Sequence, residues 1–402
     1  MKSPKKSRLA IIGTVGVPAN YGGFETLTEQ LIDDLSQSYD LRVYCSSKAY
    51  AKEQRKKSYK GAKLTYIPLE ANGIQSIIYD SISIIHSLFV ADVLLVLGVA
   101  GAWILPFVKL FTRKKIIISI DGIEWKRDKW NILAKWYLFW AEGIAVRYSH
   151  IDISDNESIQ DYTAARYGTL SRIIEYGADH TLEVALTAEN TMNYDFLRAP
   201  YAFKVCRIEP ENNVHMVLQA FAETSNLPLV IVGNWDKSEY GRQLKQKYRE
   251  HSNIYVLDPI YDQQKLDLLR SNASLYVHGH SAGGTNPSLV EAMYLKLPVI
   301  AYGVSYNRVT TGHKAFYFDR LDDLKKLIQT LTPDQLLQNR KHMGEMAHIR
   351  YTWRHITNRY KQLVEEAITT EKKQAVIPEA FEVEYEQLLE LGHAHLKSVY
   401  KF

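Results

Sequence analysis

The sequence predicts an α/β chain built from two doubly wound parallel-sheet domains. Three observations predict it. Short β-branched runs alternate with longer stretches of helical period, the alternation lapses once and then restarts, and glycine-rich turns follow several of the runs directly. In the first half the runs at residues 9–12, 41–45, 64–67, 93–97, 116–120 and 150–153 read as strands. They are almost continuously apolar, as expected of parallel strands covered on both faces by crossover helices. Helical patterns lie between most of them, at 25–35, 76–89 and 132–148. From about 179 to 200 the chain is polar with few apolar repeats. Strands then resume at 202–208, 229–232, 254–257, 274–277 and 299–301, with helices at 214–224, 241–251, 264–271 and 287–295. From about 333 the chain reads as helical and charged, and 379–400 as a separate amphipathic helix. The expected division is 1–180, 181–350 and a helical end, 351–402.

Composition narrows the function classes. The 402 residues are 46% hydrophobic and 23% charged, which excludes wholesale disorder. Lys and Arg exceed Asp and Glu by 49 to 45, too mild a surplus to indicate a nucleic-acid binder. Two cysteines, Cys45 and Cys206, make neither a disulfide framework nor a cysteine-rich zinc site, and they fit a reducing compartment. The apolar run at 9–13 is too short for the core of a signal peptide. The uncharged run at 93–108 is broken by Gly98, Gly101 and Pro106, so it reads as a strand, a turn and a helix start rather than a membrane span.

Chemistry is expected beyond the carboxyl ends of the strands, where doubly wound sheets bind ligands. After the first strand, Gly13-Thr14-Val15-Gly16 and then Tyr21-Gly22-Gly23-Phe24-Glu25 open a helix. Such a turn suits an anionic group, and equally suits a tight turn with no ligand. The strand at 116–120 runs into Asp121, Gly122, Glu124, Trp125, Lys126 and Arg127. Carboxylates there can take protons or hold sugar hydroxyls, cations can hold phosphates, and indoles can pack on sugars. A solvated loop anchored by its tryptophans is the alternative. The aromatic, basic helix that follows suits either a membrane surface or the core.

In the second half, Arg207 follows a strand and precedes a helix, where its planar fork can grip phosphate oxygens. A salt bridge to Glu209 or Glu211 is the competing reading. After the strand at 274–277 comes His278-Gly279-His280-Ser281-Ala282-Gly283-Gly284-Thr285-Asn286-Pro287-Ser288-Leu289-Val290-Glu291. Asn286 is a natural N-cap and Pro287 a natural first helical residue, so a helix start with free amides faces the strand ends, a ready diphosphate site. Glu291, one turn in, can take a pair of ribose hydroxyls. The two histidines have no clear third metal ligand, and no Asp-x-Asp triplet occurs. The G-x-G-x-x-G dinucleotide fingerprint is also absent, which argues against an oxidoreductase.

Together these segments resemble the family-4 retaining glycosyltransferases over about residues 8–370. Arg207-Ile208-Glu209-Pro210-Glu211-Asn212 is similar to the family's Arg-x-x-x-Glu-Lys phosphate motif. Gly283 to Glu291 is similar to its Glu-x7-Glu signature, Glu175 to Asp179 to its Asn-Gly-Val-Asp stretch, and Trp353 to the aromatic that opens the final crossover helix. Two positions depart from the pattern: Gly283 replaces the first Glu, and Asn212 replaces the lysine. Residues 17–26, 121–130, 210–213 and 283–291 further resemble a bacterial subgroup containing rhamnosyltransferases of capsule, O-antigen and cell-wall polysaccharide assembly.

The resemblance implies the GT-B fold, two Rossmann-like domains facing an interdomain cleft. It implies transfer of a sugar, with L-rhamnose from dTDP-L-rhamnose as first choice, to a lipid-diphosphate-linked saccharide. UDP- or GDP-sugar donors and a non-catalytic nucleotide-sugar-binding homologue are the alternatives. Donor contacts would come from Arg207, Asn212, His280, Gly283, Gly284, Thr285, Asn286, Ser288, Leu289 and Glu291. Acceptor contacts would come from Tyr21, Gly22, Gly23, Asp121, Glu124, Trp125, Lys126 and Arg127, with Asp121, Arg207 and Glu291 as the catalytic set. No metal would be required. The expected location is cytoplasmic and peripheral on the inner leaflet of a bacterial plasma membrane, docked through Lys2, Lys5, Lys6, Arg8, Arg113, Lys114, Lys115 and the Trp-rich helix. No nucleic-acid partner is expected.

Overall fold

The structure is a computed structural model that describes residues 6–19, 22–120, 122–127, 130–224 and 227–373. Tyr21, Asp121, Lys2, Lys5 and the helix expected at 379–400 lie outside the described residues. The chain divides into two units. One runs from the chain start to Glu175 and includes the segment from Ile356 onward, and the other is Tyr176–His355.

The first unit carries β1 (Arg8–Ile12), β2 (Asp40–Ser46), β3 (Ser58–Tyr59), β4 (Ala62–Ile67), β5 (Val93–Leu97), β6 (Lys115–Ile120), β7 (Ile151–Ser154) and β8 (Arg172–Ile173). Their order in the sheet is β3-β4-β2-β1-β5-β6-β7-β8. All neighbours are parallel except the short edge pair β3 and β4. All five residues of β5 are buried, which explains its unbroken Val-Leu-Leu-Val-Leu. Residues 93–108 resolve into β5, a glycine turn and the Leu105–Phe111 helix, with Pro106 in its first turn. The sheet's helices include Gly23–Ser38, Gln75–Val90, Ile132–Tyr148 and Glu157–Tyr167. The Trp353–Thr369 helix enters this unit at Ile356, tied by Arg359 to Glu175 at 3.0 Å and by Glu366 to Arg172 at 2.8 Å.

The second unit carries β9 (Ala202–Val205), β10 (Leu229–Val232), β11 (Ile254–Leu257), β12 (Leu275–His278), β13 (Val299–Tyr302) and β14 (Phe316–Phe318). The order is β11-β10-β9-β12-β13-β14, every pair parallel. Numbered within the unit this is 3-2-1-4-5-6, the Rossmann order, and its direction reverses between β9 and β12. Ala202, Leu229, Ile231, Val277 and Ile300 are among the strand residues of one apolar core that includes Val217, Phe221 and Trp235. Burial of this kind contributes about 25 cal/mol per Å² of apolar surface. β9 is shorter than the run at 202–208 suggests. Past Val205 the chain leaves the sheet for a loop and the 3₁₀ turn Pro210–Asn212.

Candidate active site

The site is assembled by two loops at the carboxyl ends of β9 and β12, the point where the strand order reverses. From β9 the chain passes Arg207, turns at Pro210–Asn212, takes a left-handed residue at Asn213 and enters the Val214–Thr224 helix. From β12 it passes Gly279 to Thr285 and enters the Pro287–Tyr294 helix. Asn286 caps that helix as expected. Its side-chain oxygen accepts from the Ser288 amide at 3.0 Å and the Ser288 hydroxyl at 2.7 Å. Ser288 in turn accepts from the Tyr276 hydroxyl at 2.9 Å. Gly283 adopts φ 139, backbone that only glycine takes without strain.

Hydrogen bonds bolt the two loops together. The Ser281 amide and hydroxyl both donate to the Glu211 carbonyl, at 2.8 and 2.9 Å. The Asn213 side chain donates to the Gly279 carbonyl at 2.9 Å. The Asn212 amide donates to the Arg207 carbonyl at 2.7 Å, which leaves its oxygen to accept from His280 Nδ1. Gly279 permits this approach, because a Cβ there would lie 2.3 Å from the Asn212 carbonyl oxygen. Among the described residues Arg207 keeps only a long contact to Glu209, 3.6 Å, and its side chain remains 36% exposed. The guanidinium therefore has donors to offer a ligand.

Glu291 sits in a chain of charge. One carboxylate oxygen is 2.7 Å from Arg270, which is 2% exposed, and the other is 3.2 Å from His180 Nε2. Arg270 also meets Asp267 at 3.0 Å. The Trp353 indole donates to His180 Nδ1 at 2.9 Å, so the ring proton lies on Nε2, facing Glu291. Burial alone would raise the Glu291 carboxyl, but Arg270 and His180 outweigh it and hold it below its usual range. The sequence reading missed Arg270 and His180 as partners of Glu291, and Asp267 as the second partner of Arg270. The one available signal was His180 next to the Asp179 of the linker motif.

In the first unit the glycine turn after β1 is already occupied by a carboxylate of the chain. Glu25 accepts from the Val15 amide at 2.6 Å and from the Thr14 hydroxyl at 3.1 Å. Gly22 lies against it, since a Cβ there would be 1.8 Å from a Glu25 oxygen. Gly23 opens the helix. Past β6, Glu124 pairs with Arg127 at 2.7 Å and accepts from the Trp130 indole at 3.1 Å. The Trp125 indole donates to Tyr162 at 3.0 Å, and Lys126 lies over the Trp125 ring. Behind them the buried Glu142 gathers Tyr162, Tyr167 and Arg166. The Ile132–Tyr148 helix has one buried and one exposed apolar face. Leu138, Ala141 and Ala145 are buried, whereas Ile132, Leu133, Trp136 and Trp140 are exposed.

Among the described residues no helix is long and apolar enough to cross a membrane, and no group of three or more His, Cys, Asp or Glu is placed to hold a metal ion.

Residues 195–350 match the family model described as "Glycosyl transferases group 1", and residues 6–179 match one described as a "Domain of unknown function (DUF1972)". Sucrose-phosphate synthase from Thermosynechococcus elongatus has a similar structure. Its TM-score is 0.75 at 15% identity, over 90% of this chain and 99% of that one. Anabaena HepE in complex with UDP follows at 0.67 and 13%, over 90% and 100%. A glycosyltransferase from Rickettsia africae follows at 0.68 and 13%, over 91% and 100%. The fold and the group 1 match define the class: this chain is a glycosyltransferase with the GT-B fold, two Rossmann-like domains. The matched segment contains both loops of the site, from Arg207 to Glu291.

Proposed function

We propose that the chain is a family-4 retaining glycosyltransferase whose donor diphosphate is held between Arg207 and the amides at the start of the Pro287–Tyr294 helix. The observation that carries this reading is the bolting of the two loops at the β9/β12 reversal point, one leading into a helix N-terminus and the other carrying the part-exposed Arg207. Most of the catalytic work is then electrostatic. The guanidinium and amides stabilise the negative charge that builds on the departing nucleoside diphosphate as the bond to the sugar breaks. The acceptor hydroxyl attacks from the same face, and its proton passes to the departing phosphate oxygen. Glu291 receives ribose hydroxyls, and Arg270 and His180 hold it ionised and oriented. Asn212 and His280 shape the donor side, and the loop past β6 with Asp121 receives the acceptor.

The preferred donor is dTDP-L-rhamnose. A UDP-sugar is the second reading, favoured by the UDP bound to Anabaena HepE. The acceptor is a lipid-diphosphate-linked saccharide of bacterial polysaccharide assembly, met at the inner leaflet. The exposed apolar side chains of the first unit support membrane docking. Ile74, Ile78, Ile82, Ile85 and Phe89 form one stripe along the Gln75–Val90 helix, and Phe107, Leu110 and Phe111 are exposed on the Leu105–Phe111 helix. Trp103, also exposed, donates its indole N–H to Ser81 of the first of these helices at 2.9 Å. Lys6, Lys114 and Lys115 are turned to the carbonyls of Ser36, Ala91 and Thr370 and Arg8 pairs with Asp92, so Arg113 is the better placed to meet anionic lipid.

The test is a transfer assay with dTDP-L-rhamnose, UDP-glucose and GDP-mannose against bacterial membrane extract. Nucleoside diphosphate release from one donor that Arg207→Ala abolishes supports the reading. Release that survives Arg207→Ala overturns it. Flotation with anionic liposomes checks the docking, and no lipid-bound fraction at low salt contradicts it.

A further inference from the structure

Lys204 is the third residue of β9, at the centre of the second sheet. Its flanking strand residue Phe203 is fully buried and apolar, and Lys204 itself is 1% exposed. A buried ammonium normally meets a carboxylate. This one makes no hydrogen bond or ion pair among the described residues, and burial pulls its pKa down with only the Cys206 thiol opposing. Beside it the buried His278 ring leaves Nε2 without a partner. Burial, with His280 and Lys204 nearby, holds that ring well below its usual pKa, so it is neutral.

Both groups lie under the loop of the donor site. A Cβ on Gly279 would stand 3.1 Å from Lys204 Nζ and 2.3 Å from the Asn212 carbonyl, so the ammonium reaches the seam where the two loops are bolted. Asn212, at that seam, is committed to Arg207 and His280 and offers no positive charge. At that seam the buried Lys204 side chain pairs with no carboxylate among the described residues, below the loop that leads from Gly279 into the Pro287–Tyr294 helix.

We propose that Lys204 is the second cation of the donor site, its ammonium reaching a phosphate oxygen of the bound nucleoside diphosphate past Gly279. The inference rests on the donor site proposed above. It also explains why a lysine is kept where an apolar residue would pack. The unpaired charge destabilises the empty protein, and the ligand supplies the missing partner.

The experiment titrates UDP and dTDP, and the matching nucleosides, into the full chain and its Lys204→Met and Arg207→Ala variants by calorimetry, and melts each variant without ligand. Lys204→Met is expected to weaken the tighter-binding diphosphate at least about tenfold, leave nucleoside binding unchanged, and raise the Tm of the unliganded protein. A Lys204→Met affinity within about twofold of wild type, with Arg207→Ala still impaired, overturns the role of Lys204 and leaves the donor site standing. An unliganded Tm below wild type makes the lysine structural and also overturns it. If wild type binds neither diphosphate, or Arg207→Ala binds as wild type does, the donor-site reading fails and the proposal with it.

Discussion

Removing the Glu291 carboxylate should loosen the second unit by an amount the geometry sets. Both oxygens are engaged, one by Arg270 at 2.7 Å and one by His180 at 3.2 Å. Arg270 is 2% exposed and cannot turn to water, so its remaining partner is Asp267 at 3.0 Å. Deleting one member of a buried pair costs about 3–5 kcal/mol. Because Asp267 stays, Glu291→Ala should fall at the lower end, about 3 kcal/mol. Glu291→Gln keeps the shape and the acceptor and should cost about 1–2 kcal/mol. For a unit of this size each kcal/mol moves Tm by about 2–4 °C, so the alanine variant should melt about 6–12 °C lower. Scanning calorimetry of the full chain without nucleotide measures this. Arg270→Met and the double variant close the cycle, and the double should be less unstable than the sum of the singles. A Glu291→Ala transition within about 0.5 kcal/mol of wild type would refute the reasoning, since that is the range of surface changes.

Other consequences follow from buried groups. Asp80 is 3% exposed, and burial pushes its carboxyl up to about 8 from 3.8. The folded state holds a proton the unfolded chain releases, so this stabilisation is complete below about pH 4 and drains away towards pH 8. Between pH 5 and 7 the loss is on the order of 3 kcal/mol. Asp80→Asn should abolish that slope in urea titrations at the two pH values, and an unchanged slope contradicts it. Glu291 works in the opposite sense. Its lowered pKa stabilises above its unfolded value of 4.5, and that share is lost on acidification. Gly177→Ala would drive a Cβ to 2.4 Å from the Trp353 ring and should cost about 1–3 kcal/mol by thermal melting. Gly279→Ala should part the two loops at Asn212 and cost more in nucleoside diphosphate affinity than in Tm, read by calorimetry and melting on the same sample.

Strand positions were legible because parallel strands buried on both faces must be continuously apolar. β5, β10 and β11 match their expected bounds to the residue. The two-residue strands β3 and β8 and the three-residue β14 were missed, since such short edge pieces carry no periodicity. The Pro287 helix start was legible from Asn286 and Pro287, whose chemistry is local. The partners of Glu291 were not, because Arg270 and His180 are brought to it by the packing of separate elements. Nor was the occupant of the first glycine turn. The pattern signalled room for an anion, and the chain fills that room with its own Glu25. Lys204 was read simply as part of a strand, and only the sheet order puts it beneath Gly279.

The most direct measurement is a crystal structure of the full chain with whichever of UDP or dTDP it binds more tightly. The account expects phosphate oxygens about 2.7–3.2 Å from the Arg207 guanidinium and from backbone amides between Gly284 and Leu289. A diphosphate bound with both of those elements out of reach would contradict it.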